Sequence, residues 1–413
     1  MVKQFKYIKN NRDTTRLLIN FKKNIIKYVL LMSMKKVYFD NAATTQVREE
    51  VVQYMSEILK EEYGNPSSTH SFGRSSKSVL ENCRKQVAAH FKVSAGEIFF
   101  TSGGTEADNL ILNSCVRDLK VTRIITSKIE HHAILHTIEA LQKKYNLQID
   151  FVNLDGKGMI DYSHLETLVR DNQHKTLVSL MHINNEIGNK LNLQKVADLC
   201  KENKALFHSD TVQSVGHFNL DFSKTPINFA AVSAHKFHGP KGVGFAFIRK
   251  NSGIKPLIVG GEQERGMRAG TEAVYAIAGL TKALAVSYRD LEKEVKYITS
   301  IKDYFKERLF QEIPNVKLNG ACDDNENSTY TLLNVLLPVS SEKATMLLFQ
   351  LDLKGIACSK GSACQSGAST GSHVLAEILS EEDMQKPSVR FSFSTFNTKE
   401  EVDYVIEVLK EFL

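Results

Sequence analysis

The sequence predicts an α/β fold built on a mainly parallel sheet, with a smaller second domain in its C-terminal third. Apolar runs recur at Ile98–Phe100, Arg123–Thr126, Thr176–Met181, Ala205–Ser209, Phe229–Ser233 and Val243–Ile248. Short runs of this kind read as buried strands. The segments between them are long enough for crossover helices, which parallel strands require. One of these helices is directly legible: Ala107, Leu110, Ile111, Ser114 and Cys115 recur at i, i+3, i+4, i+7 and i+8, one face of a helix. Beyond about residue 285 the text turns charged and helical from Tyr288 to Glu312, gives a strand-like run at Thr331–Leu337 and ends in a helix from Thr398.

The expected division is a basic extension over residues 1–33, a large domain over 48–285, and a small domain made of 34–47 and 286–413. With 413 residues, 42% hydrophobic and 24% charged, the chain is long enough for a large core. No apolar run reaches the roughly 18 residues that span a bilayer, so no membrane partner is expected. The formal charge of +6 invites a nucleic-acid reading until it is divided: residues 1–33 carry +7 and the remaining 380 sum to −1. The excess therefore belongs to a tail, and the neutral body argues against direct nucleic-acid binding. The tail fits translation starting at Met32 or Met34; its basic, acid-poor composition and the apolar patch Ile25, Ile26, Val29, Leu30, Leu31 leave an organellar targeting segment as the second reading. Six scattered cysteines show neither a disulfide framework nor the paired spacing of a zinc site, so a reducing, cytoplasmic setting is expected and no metal.

Chemistry collects where the strands end, the usual ligand position in such sheets. Ser102-Gly103-Gly104-Thr105 separates a strand from the amphipathic helix, so backbone N–H groups, a hydroxyl and a helix N-terminus converge. An ordinary capped helix start gives the same residues. Ser233-Ala234-His235-Lys236 follows another strand and precedes the turn-forming run Phe237-His238-Gly239-Pro240, which would hold Lys236 at the sheet edge rather than in solvent. Asp210 ends a third strand, with Gln213 three residues on. A carboxylate there is costly without a cation or protonated ring nitrogen beside it, unless it only caps a helix. A phosphate turn, a lysine able to form a Schiff base and an acid for a pyridinium nitrogen together describe a pyridoxal phosphate site. Far downstream, Cys364 lies in Gly361-Ser362-Ala363-Cys364-Gln365-Ser366-Gly367, small polar residues that leave a thiol exposed.

These motifs, with Asp40-Asn41-Ala42-Ala43-Thr44-Thr45, Ile129-Glu130-His131, Asn184-Asn185-Glu186-Ile187-Gly188 and Glu264-Arg265-Gly266-Met267-Arg268-Ala269-Gly270-Thr271, occur in one order from about residue 37 to the C-terminus. In that order they resemble the pyridoxal-phosphate cysteine desulfurases of the class V aminotransferase family, of the type with a long cysteine loop. The resemblance implies a fold-type I transferase like aspartate aminotransferase, whose large domain carries a mixed, mainly parallel seven-stranded sheet beside a smaller α+β domain. It implies conversion of L-cysteine to L-alanine, with the sulfur left as a persulfide on Cys364 in a loop at about 357–373. Lys236 would hold the cofactor and move the Cα proton, and His131 would stack on its ring. Asp210 would keep the ring nitrogen protonated and Gln213 would bond the ring oxygen. Gly104, Thr105, Ser233 and His235 would hold the phosphate, joined by Thr271 from the second subunit of a homodimer. Asn185 and Arg390 would receive the substrate carboxylate, with Asn41 nearby. The sulfur would pass to an acceptor protein, either an iron–sulfur scaffold or a tRNA-thiolation or cofactor pathway.

Some positions depart from the family pattern. Glu262 stands where glycine is usual, and Ala269 where serine is common. Cys358 is an extra thiol whose simplest role is to fill a small apolar site after Ile356, with a sulfur relay as the alternative. The chain stops 49 residues after Cys364, where members serving the housekeeping scaffold carry a longer tail, so the resemblance does not carry over delivery by that docking route. Three other readings remain open: a selenocysteine lyase, an aminotransferase of the same family, which Cys364 argues against, and a cofactor-bearing scaffold without turnover.

Overall fold

The computed structural model describes residues 35–171, 173–340, 346–360 and 371–413. The basic extension, Cys364 and most of the loop expected around it lie outside the described residues. The described chain opens in a short strand, β1 (Val37–Tyr38). Seven strands then form the main sheet: β2 (Ile98–Thr101), β3 (Arg123–Thr126), β4 (Gln148–Phe151), β5 (Thr176–Ser179), β6 (Leu206–Asp210), β7 (Phe229–Ser233) and β8 (Gly244–Ile248). Their order is β2-β8-β7-β6-β5-β3-β4. β8 is antiparallel to both neighbours, and every other pairing is parallel.

Six of these strands coincide with the apolar runs. The seventh, β4, is not legible in the sequence because Gln148 and Phe151 are exposed and the two residues between them only half-buried; half-solvated strands carry no continuous apolar run. Burial on both faces explains the others. In β2, Ile98 and Phe100 enter a core with the helices Ser71–His90 and Val274–Arg289, while Phe99 joins Leu110, Ile111, Ile134 and Ile138 beneath the helices Gly104–Arg117 and His132–Lys144. Side chains alternate between faces along a strand, and each of these buried apolar groups contributes roughly 1.5–3 kcal/mol. The face read on the first helix is the buried one: Ala107, Leu110, Ile111, Ser114 and Cys115 are all inside.

The C-terminal third builds a separate core. β9 (Lys317–Leu318), β10 (Leu332–Leu336) and β12 (Ser388–Ser392) form an antiparallel sheet in the order β12-β10-β9, and β11 (Ile356–Ala357) runs parallel to β1. The helices Leu291–Glu312 and Lys399–Lys410 cover it, the second capped by a reciprocal Thr398–Glu401 box. Phe39 sits at its centre, in edge contact with Phe305, Phe391 and Phe393. Cys358 packs against this core, and burial pushes its thiol up to about 12. That keeps it protonated and a poor nucleophile, which favours the filler role.

Candidate active site

β2, β3, β5, β6 and β7 run in the same direction, so the loops after them open at one edge of the sheet. There a cavity of about 250 Å³ is lined by Gly104, Thr105, His131, Asn185, Asp210, Gln213, Ser233, His235, Lys236 and Arg390. Residues from both cores, remote from one another in sequence, therefore meet in one place. Asn41 and Thr271 do not line it, and Cys364 lies outside the described residues.

The turn after β2 needs its glycines for close approach. A Cβ on Gly104 would lie 2.6 Å from Val212 Cγ2, and Gly103 has a φ of +152°. Beneath it, a Cβ on Gly244 would sit 2.8 Å from Gly103 Cα, so the start of β8 is also glycine by necessity. The turn leads into the helix Gly104–Arg117, whose first-turn N–H groups have no intrahelical partners. Thr105 and Ser233 stand around the same point, a cradle suited to a phosphate.

Lys236 follows β7 on a short 3₁₀ turn, Ala234–Lys236. Its Nζ donates to the carbonyls of Ala42 at 2.6 Å and Ala43 at 2.8 Å, and Gln213 Nε2 donates to the same Ala42 oxygen at 2.9 Å. Thr45 closes the other side, donating from N and from Oγ1 to the His235 carbonyl at 2.9 Å each, while His235 Nδ1 lies 3.2 Å from Thr44 Oγ1. The Asp40–Thr45 segment thus clamps the lysine turn, a role its sequence does not reveal because backbone carbonyls carry much of it. Asn41, expected near the substrate, is spent elsewhere: its amide donates to Ser392 O at 2.8 Å and to Asn397 Oδ1 at 3.2 Å. It fastens this segment to the C-terminal sheet instead of facing the cavity.

Asp210 accepts the Val212 N–H at 2.9 Å. Burial raises its carboxyl to about 6, against the opposing pull of that N–H and of the Lys236 charge. Two more buried acids, not singled out in the sequence, stand near it. Asp108 lines the cavity with Oδ1 3.4 Å from His208 Nε2, and Glu130 accepts the Met181 N–H at 2.9 Å. Burial, with the nearby Asp210 charge, holds both carboxyls well above their ordinary values, and burial pushes His208 down to about 3. One signal for Asp108 is present in the sequence. It lies between Ala107 and Leu110 and one turn before Ile111, an acid on the edge of the apolar stripe of its helix.

His131 caps the helix His132–Lys144, its Nδ1 accepting the Ala133 N–H at 3.1 Å. In the neutral ring the proton is then on Nε2. Burial, and secondarily the Lys236 charge, lowers its pKa from 6.5 to about 4. An unfolded chain binds this proton between those two values and the native one does not, so the contribution to stability is present above pH 6.5 and is lost as pH falls towards 4. His131→Asn keeps a capping acceptor and removes the titration. Denaturation midpoints at about pH 7 and pH 5 are expected to show a smaller acid loss for the variant, by about 1–2 kcal/mol.

Arg390, on β12, reaches in from the C-terminal core. It is 2% exposed, donating from Nη1 to Asn185 O at 2.7 Å and from Nη2 to Asp40 Oδ1 at 2.9 Å, with Nε buried and unpartnered. Asn185 meets Arg390 through its carbonyl, so the structure brings the two residues together. The resting counter-ion, Asp40, is a residue that the sequence does not mark for that role.

A sheet of this topology, with a lysine, a buried acid and a glycine turn at its carboxyl edge, fits the Aminotransferase class-V family, and the chain belongs to that family, whose model matches residues 37–405. Cysteine desulfurases are among its relatives within the family. It is 40% identical over 384 residues to the putative cysteine desulfurase IscS 1 of Bacillus subtilis, covering 91% of this chain and 99% of that one. It is 38% identical over 381 residues to the cysteine desulfurase IscS of Dictyoglomus turgidum, covering 92% and 95%. Among solved structures it is similar to a NifS-like protein, with a TM-score of 0.82 at 35% identity, covering 91% of this chain and 99% of the other.

Proposed function

We propose that this chain is a cysteine desulfurase that uses pyridoxal phosphate to convert L-cysteine to L-alanine and takes the sulfur onto Cys364 as a persulfide. The observation that carries this reading is the convergence of Lys236, Asp210, Gln213 and the Gly104-Thr105 turn on one cavity, with the Arg390 guanidinium entering from the other core. These residues fit the cofactor: the glycine turn and Ser233 suit its phosphate, buried Asp210 suits a protonated ring nitrogen, and Lys236 is within the same cavity for its carbonyl carbon. Bound there, pyridoxal phosphate supplies an electron sink for the substrate Cα.

The chain's own groups do the rest. Arg390, with its unused Nε, would exchange Asp40 for the substrate carboxylate and so orient the substrate in the cavity. Lys236 releases the Ala42 and Ala43 carbonyls, holds the cofactor and then moves the Cα proton. Neutral His131, protonated on Nε2, donates a hydrogen bond towards the reacting centre. The thiolate of Cys364 attacks the substrate sulfur; the C–S bond breaks, its electrons pass to the carbon that becomes the alanine methyl, and the new S–S bond leaves a persulfide. The redox balance closes within substrate and enzyme.

We read residues 48–285 as the cofactor domain and 34–47 with 286–413 as the smaller domain, since Phe39 belongs to the C-terminal core. We also read the working form as a cytoplasmic homodimer in which Thr271, exposed in the single chain, completes the partner's phosphate site, with an acceptor protein receiving the sulfur. Among the described residues no helix is long and apolar enough to cross a membrane. The names of the relatives do not favour an aminotransferase, a selenocysteine lyase or a scaffold without turnover.

The test is incubation of the cofactor-loaded protein with L-cysteine, without and then with a thiol reductant. Alanine and a trapped persulfide in a single turnover, becoming continuous sulfide release with reductant, are expected; a keto acid instead of alanine would sink the reading. Arg390→Gln is expected to raise KM for L-cysteine roughly 10- to 100-fold with a smaller change in kcat, the loss of charge-assisted bonds to a carboxylate. Steady-state kinetics check this.

A further inference from the structure

The segment that ends in Thr271 is pinned twice to the strand, turn and helix that make this chain's own phosphate cradle. The first pin is Glu264. Its side chain, 2% exposed, takes a bidentate pair from Arg84 at 2.6 and 2.8 Å and also accepts the Phe100 N–H of β2 at 2.8 Å. Glu264 and Arg265 hold φ values of +48° and +57°. Two successive non-glycine residues in the left-handed region persist only where their surroundings over-determine them, and the buried ion pair supplies that. The second pin is Arg268. Its guanidinium reaches Glu106 at 3.0 Å, and Glu106 in turn accepts the Ser102 N–H at 2.9 Å. Glu106 is the residue after Thr105, so Arg268 grips the phosphate turn itself. Three residues later Thr271 is exposed and outside the cavity of its own chain. The span between them is short and held: Ala269 N–H donates to Ile258 O at 3.2 Å, and Gly270 N–H to Gln263 Oε1 at 3.1 Å.

We infer that Arg268 is a positioning residue for the cofactor of the partner subunit: by tying its segment to Glu106 of its own phosphate turn, it sets where Thr271 is presented across the dimer. This rests on the reading of Thr271 as a residue that completes the neighbouring site. It means that the two phosphate cradles of a dimer share one frame, each turn anchoring the arm that finishes the other.

Hybrid dimers carrying two affinity tags test this. One protomer carries Lys236→Ala, which cannot form the lysine imine, so the imine band reports the unmodified partner alone as the stripped dimer is titrated with pyridoxal 5'-phosphate. Adding Arg268→Gln to the silent protomer is expected to raise the reporter's dissociation constant roughly tenfold, the loss of about one hydrogen bond to a charged group. Arg268→Lys in the same place should restore part of it. Thr271→Val in the silent protomer is the control and should weaken the reporter at least as much. If Thr271→Val weakens the reporter and Arg268→Gln does not, the positioning role is overturned while the crossing stands. If neither does, the crossing itself fails and the inference with it. Weakening only when Arg268→Gln is placed in the reporter protomer would make it a support of its own turn, also overturning the proposal.

Discussion

Lys236→Ala is expected to remove the visible absorbance of the lysine-bound cofactor and to lower cysteine desulfuration by on the order of 10³-fold or more, since the proposed mechanism gives this one group both the holding of the cofactor and the transfer of the Cα proton. The structure also predicts what the substitution leaves behind. The Ala42 carbonyl keeps Gln213 as a donor at 2.9 Å, whereas the Ala43 carbonyl loses the Lys236 bond at 2.8 Å. The clamp by Thr45 on the His235 carbonyl does not involve the lysine side chain. The fold should therefore survive, with a stability change near about 1 kcal/mol for the lost hydrogen bonding. Absorbance spectra, turnover and a thermal melt on one preparation separate these effects. An unchanged cofactor spectrum would show that the lysine has been misassigned.

The second large effect separates the two halves of the reaction. Cys364→Ser is expected to leave cofactor binding and its spectrum intact and to abolish persulfide formation, with sulfide release down by at least roughly 10²-fold, because a hydroxyl at neutral pH is neither ionised nor able to accept sulfur. Mass spectrometry of the alkylated protein after a single turnover reads the persulfide directly. Ordinary sulfide release from this variant would exclude Cys364 as the nucleophile. Cys358 should not substitute for it, as its thiol is pushed up to about 12 by burial against the C-terminal core.

How much of this is legible in the sequence depends on which atoms carry each role. Side chains at strand ends stand out in advance: Lys236 after β7, Asp210 at the end of β6, and the glycines after β2 each break a local rule that a bland surface residue would not, and the structure brings Lys236, Asp210 and Gly104 to one cavity. Roles carried by backbone atoms or by long-range pairing do not. The resting partners of Lys236 include the carbonyls of Ala42 and Ala43, far upstream in the chain, and nothing about an alanine announces its carbonyl. Asn41 reads as a ligand-binding amide, yet its donors are taken by Ser392 and Asn397 at the C-terminal sheet. β4 escapes because none of its four residues is fully buried, so it lacks the apolar run that marks its neighbours.

By itself, the sequence determined the class of fold and the chemistry on offer. Strands buried on both faces must be apolar throughout, and the electron-sink site needs particular residue types in a particular order, so both leave marks along the chain. The tertiary structure decided the state of those residues. It set Asp40 against Arg390, buried Asp108 beside His208, lowered His131 to about 4 and tied Arg268 to Glu106. Burial and electrostatic pairing act through distances between residues remote in sequence, and only the folded chain defines those distances.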